Sequence, residues 1–189
     1  MPQGAKQNPF ESRPAHGSDF LVPPVHFAFV HLNKPIDIAM VGQTVLATGH
    51  VRADMVGQSI DFDHPKVIAK LKSWNIKDPM NLLKGKSTHY QTIEELHRAN
   101  FSSRLIGAVV SRGDNPFDYD WKENDIIVMG GANGLSSRDV DVMDELVTIP
   151  TPDDVDFLTV STVVSALTYH ILTKRQLWSK LEKRYTAED

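Results

Sequence analysis

Gly130, Gly131 and Gly134 follow directly on the apolar, β-branched run Ile126–Met129. A short buried strand that ends in glycines can bring backbone N–H and C=O groups close to a ligand with no side chain in the way. Such a loop binds; it does not itself break bonds. Its spacing is neither a dinucleotide fingerprint nor a Walker loop. Ser136 and Ser161 lack a nucleophile-elbow context. The eight histidines form no HExxH or zinc pattern. Asp61, Asp63 and His64 have the residue types of a metal cluster, but acids ahead of a helix start ordinarily cap it, and no metal is expected. Lys84, Lys86, Arg112, Arg138, Lys174 and Arg175 are the candidate contacts to nucleic-acid phosphate, with a solvated surface as the plainer alternative for the loop lysines. Phe117, Tyr119 and Trp121 suit base stacking, or packing against their own domain, which is the commoner use.

These residues need elements to hold them. Ile126–Met129 reads as a strand, and Ser136 with Asp139 as a helix start. Leu146–Ile149 reads as another strand, stopped by Pro150. Val160, Val164, Leu167 and Ile171 share one face of a long helix. Upstream, Val25–Leu32 alternates as a strand, and Ile36–Thr48 contains a helix closed by Gly49. Val51–Ile60 supplies a second strand. A helix opens at Pro65 and runs to Trp74, with Lys66, Lys70 and Lys72 on its polar side. Asn75–Ser87 reads as a basic loop that includes Lys77. His89–Gln91 suggests a short strand, and Thr92 with Glu95 caps a helix through Ala99. Leu105–Val110 is one more buried strand. The alternation predicts an α/β domain with a parallel sheet, and places the ligand at Met129–Leu135 beside the loop after Pro150.

The 189 residues suffice for one domain with a sizeable core. Net charge of −4 and a pI near 6.0 exclude a strongly basic nucleic-acid binder, yet leave room for a local basic face. There is no cysteine, so disulfides and thiolate metal sites are excluded. No apolar run is long enough for a membrane span. Residues 1–24 read as an extended or disordered arm with Phe10 and Phe20 as possible anchors, 25–175 as the domain, and 176–189 as a basic helix end and tail carrying Lys180, Lys183 and Arg184. An intracellular setting is expected, in the cytoplasm or an organelle such as the mitochondrion.

Gly134-Leu135, Ile149-Pro150 and Leu158-x-Val160-Ser161 match, without a gap, the C-terminal pattern of the SpoU branch of the SPOUT RNA methyltransferases. Counting back from Gly49, Thr44 falls on the threonine of that family's first motif. Over Val25–Arg175 the chain resembles this family. The resemblance implies a C-terminal trefoil knot, an exception to the unknotted rule. It implies S-adenosylmethionine held by Met129, Gly130, Gly134, Leu135, Ile149, Thr151, Leu158 and Ser161. It also implies an RNA or ribonucleoprotein partner, and a homodimer or a heterodimer with a SpoU-like subunit. The apolar stripe on the last helix would serve that dimer, together with the first helix.

The family's polar residues are replaced. Gln43 stands at its catalytic arginine, Gly131 at its glutamate and Thr159 at its asparagine; Asp37, Ala39 and Phe157 stand at further motif positions. Gln carries no cation and Gly no functional group. The favoured reading is therefore a catalytically degenerate member that binds RNA without methyl transfer of its own. The alternatives are an active ribose 2′-O-methyltransferase using Asn133, Asp154 or Arg138, and an unrelated doubly wound enzyme for a small molecule.

Overall fold

The computed structural model describes residues 25–110, 112–151 and 158–175. The arm, Asp154, Phe157 and the tail from 176 onward therefore lie outside the described residues.

Six strands form one parallel sheet: β1 (Val25–Val30), β2 (Val51–Val56), β3 (His89–Tyr90), β4 (Leu105–Ala108), β5 (Ile126–Gly130) and β6 (Glu145–Val147), in the spatial order β3-β2-β1-β5-β4-β6. Phe27 and Phe29 of β1 point to one face. There they join Ile127 and Met129 of β5 under α1 (Pro35–Thr48) and α6 (Val160–Lys174). Ala28 and Val30 point to the other, with Val128 of β5 and with Ile93 and Leu96 of α4 (Ile93–Ala99). That two-sided burial explains why the central strands read as unbroken apolar runs.

Helix ends follow their sequence signals. Gly49 closes α1 in the left-handed region, with φ of 66° and its N–H on the Val45 carbonyl. Thr44 Oγ1 lies 3.0 Å from Ser165 Oγ, tying α1 to α6. α2 (Pro65–Ser73) is capped by the His64 ring, which accepts from the Lys66 N–H, not by an aspartate. The expected loop 75–87 contains a further turn of helix, α3 (Pro79–Leu83), started by Asp78 and Pro79. The apolar stripe of α6 faces its own sheet: Val164, Leu167 and Ile171 are buried in the core. It is not a free dimer surface, because a lone sheet face needs a helix to cover it. The large apolar side chains that stay exposed on α1 and α6 are Ile36, Met40 and Tyr169.

The two ends of the sheet are built differently. At the amino-terminal edge, Arg104 holds the buried Asp125 through two bonds of 2.8 Å and Glu145 through one of 2.7 Å. The Tyr119 hydroxyl donates to Glu145 at 2.5 Å, and burial pushes its pKa up. At the β3 edge, His89 Nδ1 meets both Asp61 oxygens at 3.0 Å while Nε2 meets the Gly57 carbonyl at 2.9 Å. The Asp61 hydrogen bond raises the His89 pKa above its ordinary 6.5, against burial that lowers it. Folded His89 thus binds its proton more tightly than unfolded His89. Its contribution is full below 6.5 and is lost as pH rises through the folded pKa. We predict that urea-unfolding stability declines over that window, and that His89→Gln removes this part of the decline.

Candidate functional site

β1 and β5 lie side by side, yet their chains leave in opposite directions. β1 continues through α1 to β2, and β5 continues through α5 (Ser137–Asp141) to β6, beyond β4. The parting loops leave a crevice at the carboxyl ends of the strands, where ligands of open α/β sheets sit. A cleft of about 480 Å³ opens there. Its walls are Ala108, Val109, Val110 and Pro116 after β4, Val147, Ile149 and Thr151 after β6, and Val160, Val163 and Leu167 of α6. The size and the apolar walls suit a cofactor-sized molecule.

The floor is the glycine loop. Gly131 N–H donates to the Val30 carbonyl at 2.8 Å, and Gly134 N–H to the Gly131 carbonyl at 3.0 Å. A Cβ on Gly131 would stand 2.5 Å from the His31 carbonyl oxygen, and one on Gly130 1.9 Å from the Gly134 carbonyl carbon. Both contacts are with backbone, so no side-chain rotation relieves them. A full capping box then starts α5: Ser136 Oγ accepts from Asp139 N–H at 3.2 Å, and Asp139 accepts from Ser136 N–H at 2.9 Å.

Met129, Gly130, Gly134, Ile149, Thr151 and Leu158 all line the cleft. Leu135 instead packs on the opposite core, beside Ala28 and Val30. Ser161 is buried against Met40 and Thr159 rather than in the cleft wall. Gly131, Asn133 and Thr159 line the cleft; Gln43 is exposed on α1 and does not. Arg138 is exposed, 3.8 Å from Glu94. Lys34 and Asp37, absent from the expected site, also line the cleft. Lys34 carried no signal beyond a helix start, and Asp37 was named only as a position of the first family motif; knowing that β1 borders β5 is what brings the β1–α1 turn into the site.

The candidate phosphate contacts divide by edge. Lys86 Nζ donates to the Gly49 carbonyl at 3.5 Å. Lys174 Nζ donates to the Tyr119 carbonyl at 3.3 Å, and Arg175 to the Lys122 carbonyl at 3.0 Å. Burial lowers the Arg175 pKa. These three belong to the amino-terminal edge, away from the cleft, and Lys84 is exposed at the end of α3, outside the cleft lining. Arg112 is exposed between β4 and β5, two residues past Val110 of the cleft wall. The linker aromatics pack on their own domain: Tyr119 against Trp121 at 4.6 Å and Phe117 against His170 at 5.2 Å. Asp61 and His64 are separately engaged, with His89 and with the start of α2.

Gly131 now has a physical account. The carboxylate of the resembled family cannot simply be put back, because its Cβ meets the exit of β1. We predict that Gly131→Glu lowers unfolding stability by about 1–3 kcal/mol in urea titration. Stability equal to wild type would show that the loop yields freely.

No family model matches the chain, and no curated protein matches its sequence. Solved structures do match. The SpoU methyltransferase AviRb from Streptomyces viridochromogenes, solved in complex with the cofactor AdoMet, is 17% identical with a TM-score of 0.66, over 82% of this chain and 58% of that one. A structure bearing on the 2-OH methylation of C/U34 on tRNA is 18% identical with a TM-score of 0.64, over 82% of this chain and 96% of that one. An RNA 2′-O ribose methyltransferase is 18% identical with a TM-score of 0.67, over 91% of this chain and 62% of that one. The described residues take the fold of the SpoU-type RNA methyltransferases, the family whose sequence pattern they resemble.

Proposed function

We propose that this chain binds S-adenosylmethionine and RNA, or an RNA–protein assembly, and transfers no methyl group on its own. The observation that carries the reading is the contrast within one site. The glycine loop and apolar walls form an open cleft of about 480 Å³, while Gln43, at the family's arginine position, is exposed and outside that cleft. Backbone groups near Met129, Gly134, Ile149 and Leu158 would hold the cofactor, which supplies an activated methyl group when bound. The neighbours of known structure include a methyltransferase with AdoMet bound and others named for RNA 2′-O methylation, which supports this ligand class. We place the knot of that fold here too, in the chain from Leu135 through Thr151.

Ribose methylation needs a group to take the hydroxyl proton and a positive charge near the developing alkoxide. Removing one such stabiliser costs on the order of 10²–10³ in rate. A second reading, an active enzyme, draws on Asp37 and Asn133, since both line the cleft. In that reading Asp37 is the base and Lys34, also in the cleft lining, the cation.

The dimer is proposed on the face left open, with Ile36 and Met40 on α1 and Tyr169 on α6. Gln43 is exposed on α1, one turn beyond Met40. A partner docked here would meet position 43. We predict that Met40→Glu shifts sedimentation from dimer to monomer without changing the circular dichroism spectrum.

Calorimetric titration with S-adenosylmethionine and transfer of labelled methyl to total cellular RNA test the main reading. Cofactor binding without transfer is the expected result. Robust transfer by this chain alone, abolished by Asp37→Asn, promotes the second reading; absence of cofactor binding removes the cofactor from both.

A further inference from the structure

His31 follows β1, at the crevice between β1 and β5. Its φ is 55°, in the left-handed region that residues with side chains avoid. Glycine or asparagine would take that conformation at less cost. The ring is held all the same. It lies over Gly57, where an added Cβ would stand 2.5 Å from Cε1 and 2.8 Å from Nδ1. Nδ1 accepts the Gln58 N–H at 3.1 Å. A ring nitrogen that accepts a backbone N–H bears no proton, so Nε2 bears it in the neutral ring.

The side chain is exposed, and no hydrogen bond to Nε2 is formed among the described residues. On its other side the His31 carbonyl abuts Gly131 of the cleft floor. Two glycines thus make room for one histidine, one under its ring and one against its carbonyl. Lys34, three residues on, is exposed, lines the cleft and forms no ion pair among the described residues. Strained conformations of this kind persist where the surroundings fix them, and they cluster at ligand sites.

We propose that His31 is a positioning residue for RNA: its Nε2–H donates to a backbone phosphate oxygen of the strand that enters the cleft, beside the charge of Lys34. This rests on the reading that RNA meets the carboxyl edge of the sheet. The two contacts differ in kind. Lys34 displaces a counterion from the phosphate, and its removal flattens the salt dependence of binding. Neutral His31 displaces none, so its removal shifts affinity without changing the slope.

The test is fluorescence anisotropy with a fluorescein-labelled RNA stem-loop across a salt series, using the full chain with His31→Asn, His31→Gly and Lys34→Ala. Asparagine and glycine both accept the positive φ. Each His31 variant is expected to bind roughly 3- to 10-fold more weakly along a parallel salt line. Lys34→Ala should lower the slope by about one. Thermal melts and circular dichroism report the fold. Wild-type affinity in both His31 variants overturns the proposal and leaves the RNA reading standing. So does a loss that flattens the slope as Lys34→Ala does. Weak binding that merely tracks a lowered melting point places His31 in the fold rather than the contact, and also overturns it. A wild-type chain that binds no RNA sinks this proposal and the RNA reading together.

Discussion

The backbone approach between the ends of β1 and β5 is the constraint on which the rest depends. Gly131 N–H reaches the Val30 carbonyl at 2.8 Å, and the His31 carbonyl occupies the space a Cβ on Gly131 would need. That contact fixes the floor of the cleft. It also turns His31 into the left-handed region, since the chain must leave β1 without striking the glycine loop. Glycine at 131 and positive φ at 31 therefore belong to one packing arrangement, while glycine at 130 is required by the close turn of its own loop onto Gly134. Any side chain at position 131 would require the exit of β1 to shift.

The opposite edge is closed by charge. Arg104 clamps Asp125 and Glu145, Tyr119 donates to Glu145, and the end of α6 is bound through Lys174 and Arg175 to the carbonyls of the linker. Asp125 is almost wholly buried, so its paired geometry is costly to break. This rigid edge uses up cations that composition alone would offer to nucleic acid. With a net charge of −4, little long-range attraction remains. Contact with an acidic polymer then depends on local groups near the cleft, such as Lys34 and Arg112.

Much of the fold was legible in the sequence, for physical reasons. Strands buried on both faces leave unbroken β-branched runs, and Gly49, Pro65, Thr92 and Ser136 each perform the terminating or capping role that their chemistry predicts. The glycine loop was legible because glycines at a strand end signal close approach. Three things were not. The short helix α3 was hidden by the polar residues around it. The role of the α6 stripe was misread because an apolar helix face looks the same whether it covers its own sheet or another chain. Lys34 and His31 were missed, and Asp37 was noted only as a motif position, because strand order, a tertiary fact, decides which turn borders the cleft. Lys174 and Arg175 show the converse: a run of cations says nothing of whether backbone carbonyls already hold them.

Binding and chemistry draw on different parts of this site, and so can separate. The cleft is made of glycine backbone and of apolar side chains such as Val109, Ile149 and Val163. Its affinity for a cofactor would come from area removed from water and from main-chain hydrogen bonds, neither of which depends on a particular polar side chain. Methyl transfer would need a base and a cation aimed at one oxygen, and there a single replacement changes the rate by orders of magnitude. Gln43, exposed on the outer face of α1, takes no part in the cleft wall. The identity of the residue at this exposed position leaves the packing of α1 untouched, since residues that hold the helix are Ile38, Val41 and Val45. Stability thus sets no barrier to exchange at position 43, whereas the glycines of the floor are held in place by the backbone they touch. On these packing grounds a chain under no demand for catalysis could change position 43 freely and still keep the floor.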